Sequence, residues 1–404
     1  MLPTTSSLPT KTKDPLDLSL ILSAIESCIP REAGATVALH EPCFKGNEWN
    51  YVKECLDTRW VSSAGKFVGQ FEEQLAGVTG VKAAVAVVNG TAALHICLKA
   101  SGVAANDEVL VPALTFVATA NAVVYCNAVP HFIDSEEKTL GVDPVKLKAY
   151  LEENTRFSNG HCFNKISGRR IKALIVVHTF GHPADLDPLS SLCERFHLDL
   201  IEDAAESLGS YYKGRHTGHW GKFTALSFNG NKIVTTGGGG AVITNDVQAA
   251  KAIKHLTTTA KIVHPWKIEH DAIGYNYRLP NLNAALGCAQ LESLNDFIEQ
   301  KRKLAERYRE AFSAVKGLRF FTEPEFARSN YWLNVLVLDQ GYESEKDSLI
   351  ARTNEAGFMT RPTWTLMPKL PMFQSAPRMD LSVAEDLEAR LINIPSSVFL
   401  GDLA

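Results

Sequence analysis

The sequence predicts an α/β protein: a large domain on a mixed, mostly parallel sheet, then a small C-terminal α+β domain. Three observations carry this. From residue 83 onward, short apolar runs alternate with helical stretches. Those runs are apolar along their length rather than every second residue, the pattern of strands covered by helices on both faces. After about residue 285 the chain turns to a long stretch rich in Glu, Lys and Arg, followed by sparser strand and helix signals.

Taken in order, residues 1–13 are polar and proline-bearing, with no basic stretch leading into an apolar one, so no secretory signal is expected. Residues 14–30 read as a short amphipathic helix. Asp14 is placed to cap it, Pro15 suits its first turn, and Leu16, Leu18, Leu20, Ile21, Ala24 and Ile25 supply the apolar positions. Residues 47–59 form a second helix. The apolar runs follow at 83–88, 108–112, 131–134, 171–178, 198–203, 224–228 and 241–244. The last two lie close together, which suits one antiparallel, hairpin-like connection. Residues 282–316 read as one long helix that Gly317 would end. A strand at 331–338, a helix at 346–356, another short strand and a terminal helix complete the chain. The organisation is an N-terminal extension (1–40), a large domain (41–285) and a small domain (286–404), each of the latter two within usual domain size.

Bulk properties narrow the function. The 404 residues are 45% apolar and 21% charged, as in ordinary globular proteins. The net charge of −4 gives no electrostatic case for nucleic acid or an anionic membrane. No apolar run reaches the ~18 residues of a membrane span. Eight cysteines are scattered without a C-x-x-C pair, which argues against a zinc site or a disulfide framework and suits a reducing cytoplasm.

The chemistry concentrates at run ends. Lys232 lies in Ala225-Leu-Ser-Phe-Asn-Gly-Asn-Lys232-Ile-Val-Thr-Thr-Gly-Gly-Gly-Gly240, where an apolar strand delivers a lysine into a glycine-flanked turn. About thirty residues earlier another strand ends in Leu198-Asp-Leu-Ile-Glu-Asp203-Ala-Ala-Glu206. A lysine that condenses with an aldehyde and a carboxylate that holds a pyridinium proton are the two protein groups that pyridoxal phosphate requires. At ~3 Å and an effective dielectric near 20 that attraction is on the order of 5 kcal/mol before desolvation. The alternative for Asp203 is a helix cap at Ala204; for Lys232 it is an exposed loop lysine. Val87-Val-Asn89-Gly90-Thr91-Ala-Ala-Leu94 runs from strand into helix and offers N–H groups to a phosphate, although a capped junction would look the same. The Ser227 hydroxyl could add a donor. Phe116, after the strand ending at Pro112, could stack on a flat ligand or sit in the core.

Two other readings fail on spacing. His178 and His182 are four apart, but Gly181 and Pro183 break the helix that a zinc pair would need, so no metal site is expected; His216 and His219 add none. The glycines 237–240 lack dinucleotide-binding spacing and precede a strand.

These segments together resemble the DegT/DnrJ/EryC1/StrS family of nucleotide-sugar aminotransferases. The resemblance spans about residues 40–400. It rests on Asn89-Gly-Thr-Ala-Ala-Leu, Pro112 to Asn121, His178-Thr-Phe-Gly-His-Pro-Ala-Asp185, Glu202-Asp-Ala-Ala-Glu206, Ser227-Phe to Lys232, and Gly274-Tyr-Asn276-Tyr-Arg278 through Gly287. It implies an aspartate aminotransferase-like, pyridoxal phosphate fold type I. By resemblance Lys232 bonds the cofactor, Asp203 meets its ring nitrogen and Phe116 stacks on it. Gly90, Thr91 and Ser227 hold its phosphate, Glu206 lies near its phenolic oxygen, and Asn276 reaches the phosphate in the partner of a homodimer. Many members carry Glu where Gly238 stands. The all-glycine form is similar to the subgroup acting on UDP-4-keto-6-deoxy-N-acetylglucosamine in bacillosamine and legionaminic acid synthesis, as are the first helix and the segment Thr360-Arg361-Pro-Thr-Trp364. Asn229, Arg361 and Trp364 are candidates for nucleotide-sugar contact. Members that dehydrate instead carry histidine at the lysine position, so Lys232 implies transamination, with L-glutamate as donor and a nucleotide-linked 4-keto-6-deoxy sugar as acceptor. An amino-acid aminotransferase of the same fold and a cofactor-binding regulatory protein without turnover are the alternatives.

Overall fold

The computed structural model describes residues 14–29 and 34–402. The segment 1–13 and the end of the first expected helix at Pro30 lie outside these. That helix forms as α1 (Leu18–Cys28), capped by Asp17 rather than Asp14: the Asp17 carboxylate accepts from the Leu20 N–H at 3.0 Å. Ile21, Ala24, Ile25 and Cys28 fall on one buried face. The second expected helix is α2 (Glu48–Thr58). A third, α3 (Lys66–Thr79), had no counterpart in the expectation; it buries Phe67, Phe71 and Leu75 at four-residue spacing.

The sheet region then unfolds in sequence. It comprises β1 (Ala83–Val87), α4 (Gly90–Ala100), β2 (Glu108–Pro112), α5 (Val117–Tyr125), β3 (Val129–Ile133) and α6 (Pro144–Asn154). A hairpin of β4 (Thr155–Ser158) and β5 (His161–Asn164) follows, then β6 (Arg170–Val177), α7 (Leu186–Phe196) and β7 (Asp199–Asp203). Short β8 (Tyr211–Tyr212) and β9 (Arg215–His216) precede β10 (Phe223–Ser227), β11 (Gly240–Thr244) and α8 (Val247–Thr257). The seven expected apolar runs are β1, β2, β3, β6, β7, β10 and β11, displaced by at most two residues.

Their order across the sheet is β1-β11-β10-β7-β6-β2-β3. The five from β10 to β3 are parallel, and β11 is antiparallel to both β10 and β1. The hairpin β4–β5 extends the sheet beside β6. Val177 pairs with Asp203, and Asp203 with Ala225. The carboxyl ends of β6, β7 and β10 therefore reach one edge together, the crevice where α/β sheets bind ligands.

One long helix was expected over 282–316; two form, α9 (Asn281–Glu292) and α10 (Leu294–Phe312), broken at Ser293. Ala284, Ala285 and Cys288 of α9 pack with Phe67 and Phe71 of α3, whereas Leu304, Tyr308 and Phe312 of α10 pack with α1. Beyond α10 come β12 (Leu318–Phe320), β13 (Ala327–Arg328), β14 (Asn334–Leu338), α11 (Lys346–Glu355), β15 (Arg361–Pro362), α12 (Ser382–Arg390) and β16 (Leu391–Ile394). The antiparallel order is β12-β14-β16-β15, while β13 pairs with β8. The expected terminal helix is thus followed by a strand. The strand expected from 331 begins only at Asn334, because residues 329–333 are taken up in contacts near the crevice.

Candidate active site

A cavity of about 390 Å³ opens at that edge. Its floor depends on close backbone approach. Asn89 caps α4 by accepting from the Ala92 N–H at 2.7 Å. A Cβ on Gly90 would lie 2.8 Å from the Ser227 Cβ, and one on Gly240 would lie 2.5 Å from the Asn89 carbonyl carbon. Glycine at both positions lets the start of α4 rest on the ends of β10 and β11. First-turn N–H groups there lack intrahelical partners and sit at the positive end of the helix dipole. Gly90, Thr91 and Ser227 all face the cavity, so the residues expected to hold a phosphate are together.

Asp203 ends β7 and is buried. Its carboxylate accepts from the Thr119 hydroxyl at 2.8 Å and from the Ala205 N–H at 3.2 Å. Thr119 in turn lies 2.9 Å from the Thr115 hydroxyl. Burial pushes the Asp203 carboxyl above its ordinary range, with the Thr119 hydroxyl, the Ala205 N–H and Lys232 working against it. No helix starts at Ala204, so the capping alternative does not apply. A carboxylate held this way, with no cation in contact among the described residues, favours a positively charged ring nitrogen.

Lys232 is not an exposed loop lysine: its side chain is 13% exposed and faces the cavity. Its Nζ lies 3.3 Å from Glu206 Oε1 and 3.8 Å from the centroid of the Trp332 ring. Glu206 also accepts from the Phe180 N–H at 2.9 Å. Burial raises the Glu206 carboxyl, and Lys232 and the Phe180 N–H oppose that. Phe180 adopts φ +57°, a strained conformation for a bulky residue, and its ring stacks on Trp364 at 4.9 Å. Phe116 caps no core; it is 53% exposed, lines the cavity and lies 6.5 Å from Trp364.

Neighbouring carboxylates have different roles. Glu202 points away and is fully buried against His178 at 3.0 Å, also accepting from the Gly218, Trp220 and Gly221 N–H groups. Burial alone would raise this carboxyl, but His178 and those N–H groups hold it below the usual range. His182 does not face His178. It lies between the rings of Phe321 and Tyr331, and burial pushes it down to about 3.

Asn229 and Trp364 line the same cavity. Asn276 and Arg361 do not. Asn276 is exposed, and Arg361 is exposed and bonds the Asn354 side chain at 2.9 Å. Among the lining residues to which the sequence assigned no role are Thr115, Thr119, Asn231 and Trp332. The threonines flank Phe116 at i, i+4 spacing after a strand, a signal that was available. Trp332 gave none. The assembled set fits pyridoxal phosphate on its donor chemistry: an amide-rich helix start for a phosphate, a buried carboxylate for a ring nitrogen, and an amine within the same cavity.

Comparison with known proteins agrees. A sequence model of the DegT/DnrJ/EryC1/StrS aminotransferase family matches residues 42–402. EpsN of Bacillus subtilis (strain 168), provisionally named a pyridoxal phosphate-dependent aminotransferase, is 41% identical over 366 residues, 89% of this chain and 90% of its own. The GDP-perosamine synthase of Escherichia coli O157:H7 is 36% identical over 360 residues, 89% and 93% of the two chains. Among solved structures, DesI in the presence of its TDP-sugar product superposes with TM-score 0.79 at 26% identity, covering 93% of this chain and 91% of that one. The expected fold type I architecture is the one observed.

Proposed function

The chain belongs to the DegT/DnrJ/EryC1/StrS aminotransferase family, and from that premise we propose that it moves an amino group from L-glutamate to C4 of a nucleotide-linked 4-keto-6-deoxy sugar, with UDP-2-acetamido-2,6-dideoxy-4-hexulose as the acceptor. The observation that carries the reading is the meeting of Lys232, Asp203 and the glycine-cradled start of α4 on one cavity. Bound pyridoxal phosphate supplies the electron sink that lets an amino group be taken from one substrate and given to another. Asp203 would hold the protonated ring nitrogen, Gly90, Thr91 and Ser227 the phosphate, and Phe116 the ring face. The Lys232 amine, beside Glu206, is placed to hold or move a proton at the reacting carbon.

The nucleotide-sugar class draws on relatives named for GDP-perosamine and a TDP-sugar product, and the choice of UDP on the all-glycine turn. Gly238 has no atom within 4 Å of a built Cβ, so the space that a glutamate fills in many family members is open beside the cavity. Phe116 and Trp364 give the cavity an aromatic side, with buried Phe180 stacked behind Trp364, suited to a flat base or an apolar sugar face. Remote binding of the nucleotide would hold the keto carbon in place and lower the barrier there. We also place the chain in a homodimer, with exposed Asn276 serving the partner's site.

The test is a panel of UDP-, GDP- and TDP-linked keto-sugars, each with glutamate, and products identified by mass and NMR. The expected product is the 4-amino UDP-sugar. GDP-perosamine as the preferred product would move the nucleotide assignment. Turnover confined to amino-acid and keto-acid pairs would sink the sugar reading.

A further inference from the structure

Behind the Lys232 amine lies a side chain to which the reaction above gives no part. Trp332 is buried, yet its indole face borders the cavity, 3.8 Å from Lys232 Nζ. One hydrogen bond orients its ring and two hold its backbone. The indole N–H donates to the carbonyl of Asn231, the residue before the lysine, at 2.7 Å. The backbone N–H donates to Asn330 Oδ1 at 2.8 Å. The carbonyl accepts from Lys301 Nζ at 3.1 Å. Asn330 in turn donates to the Glu206 carbonyl at 2.9 Å, so the ring and the carboxylate that flank the amine share one frame.

Lys301 is unusual in itself. It is fully buried on α10, and its amine bonds the carbonyls of Trp332 and Ser396. Such a group is costly to place in a core, and here it grips the backbone of Trp332. The charged and titratable groups around Lys232 are Glu206 and Asp203 on the cavity side, His40 beside the Trp332 ring at 6.4 Å, and Lys301 at the Trp332 carbonyl.

We propose that Trp332 is a positioning residue for the reaction: its ring is the resting platform of the Lys232 amine whenever that amine is not bonded to the cofactor, and Lys301 holds the platform in place. An ammonium over an indole face is attracted by the ring quadrupole, most strongly for Trp. With Glu206 on its other side, the amine has one defined place to wait. It can neither swing to solvent nor block the space where an amino donor must enter. This rests on the reading of Lys232 as the cofactor-bonding lysine.

The experiment reads the amine's position. Full-length protein carrying 13C at the lysine ε-carbons is observed by NMR in cofactor-free, cofactor-loaded and glutamate-treated forms, with Lys232→Arg assigning the signal. The ring current of Trp332 should displace the Lys232 ε-methylene signal upfield in the first and third forms, not in the second. Trp332→Leu should abolish the displacement and slow single turnover by about ten-fold; Trp332→Phe should keep the displacement in part and recover much of the rate. A wild-type signal at the ordinary lysine position in the cofactor-free form overturns the proposal, as does a displacement that survives Trp332→Leu. Borohydride reduction of the loaded wild type with peptide mapping separates the two levels. A label elsewhere than Lys232 defeats the functional reading, whereas a label on Lys232 with no ring-current signal defeats only the platform.

Discussion

Asp203 and Lys301 are both ionisable groups deep in the molecule, but they face different surroundings. Asp203 borders the cavity, and burial raises its carboxyl. An acid whose folded value is raised binds more protons folded than unfolded, so it subtracts stability as pH climbs through that raised value. Asp203→Asn should therefore stabilise the cofactor-free chain at neutral pH while lowering kcat by roughly 10²–10³-fold; thermal melts beside steady-state rates check both. Lys301 is a base whose folded value is pushed well down by burial. The unfolded chain then binds the extra proton, and stability rises with pH until the unfolded lysine itself titrates near about pH 10. Denaturant midpoints of the cofactor-free protein should climb with pH over that range, and Lys301→Met should flatten the slope. An identical slope in the variant would mean that Lys301 is not the group responsible. Asp203 was legible in the sequence because it ends an apolar run, and Lys232 because it stands in a glycine-flanked turn just after one. Trp332 and Lys301 were not, since a buried aromatic or a helix lysine has no local signature of its partner.

The turn 237–240 behaves as two halves. Gly238 has open space around a built Cβ, while a Cβ on Gly240 would collide with the Asn89–Gly90 backbone. Gly238→Ala should leave cofactor affinity within about two-fold, as ordinary surface substitutions do. Gly240→Ala should push the start of α4 off β10 and weaken affinity by ten-fold or more, read by cofactor titration; equal effects would contradict the close-approach account. Element identity was readable where burial is two-sided, as in β2, whose five residues are all buried. It was less readable where packing decides. The chain breaks at Ser293 although Leu294, Phe297 and Ile298 of α10 share a core with α9, and β16 forms because it completes the small sheet between β14 and β15. Nothing in a helical pattern announces either.

For the whole molecule, the exposed segment around Asn276 matters most. Trp266 is 81% and Ile273 90% exposed in the single chain. Apolar side chains that open to water are a docking surface for another copy under the homodimer reading. Light scattering should give twice the 44.3 kDa chain mass. The double change Trp266→Ser with Ile273→Ser should lower that mass and the activity together. A fully active single chain would remove Asn276 from any role in a partner's site.

The sequence by itself determined the chemistry class and the strands that carry it. A lysine or carboxylate at the end of an apolar run, and glycines at a turn, are local features that depend on neighbours within a few residues. Only the tertiary structure decided which groups meet. Thr119 reaches Asp203 across 84 positions and Trp332 reaches Asn231 across 101. Contacts at such separations follow from how sheet, helices and the C-terminal segment pack, and no periodicity within a single element encodes them.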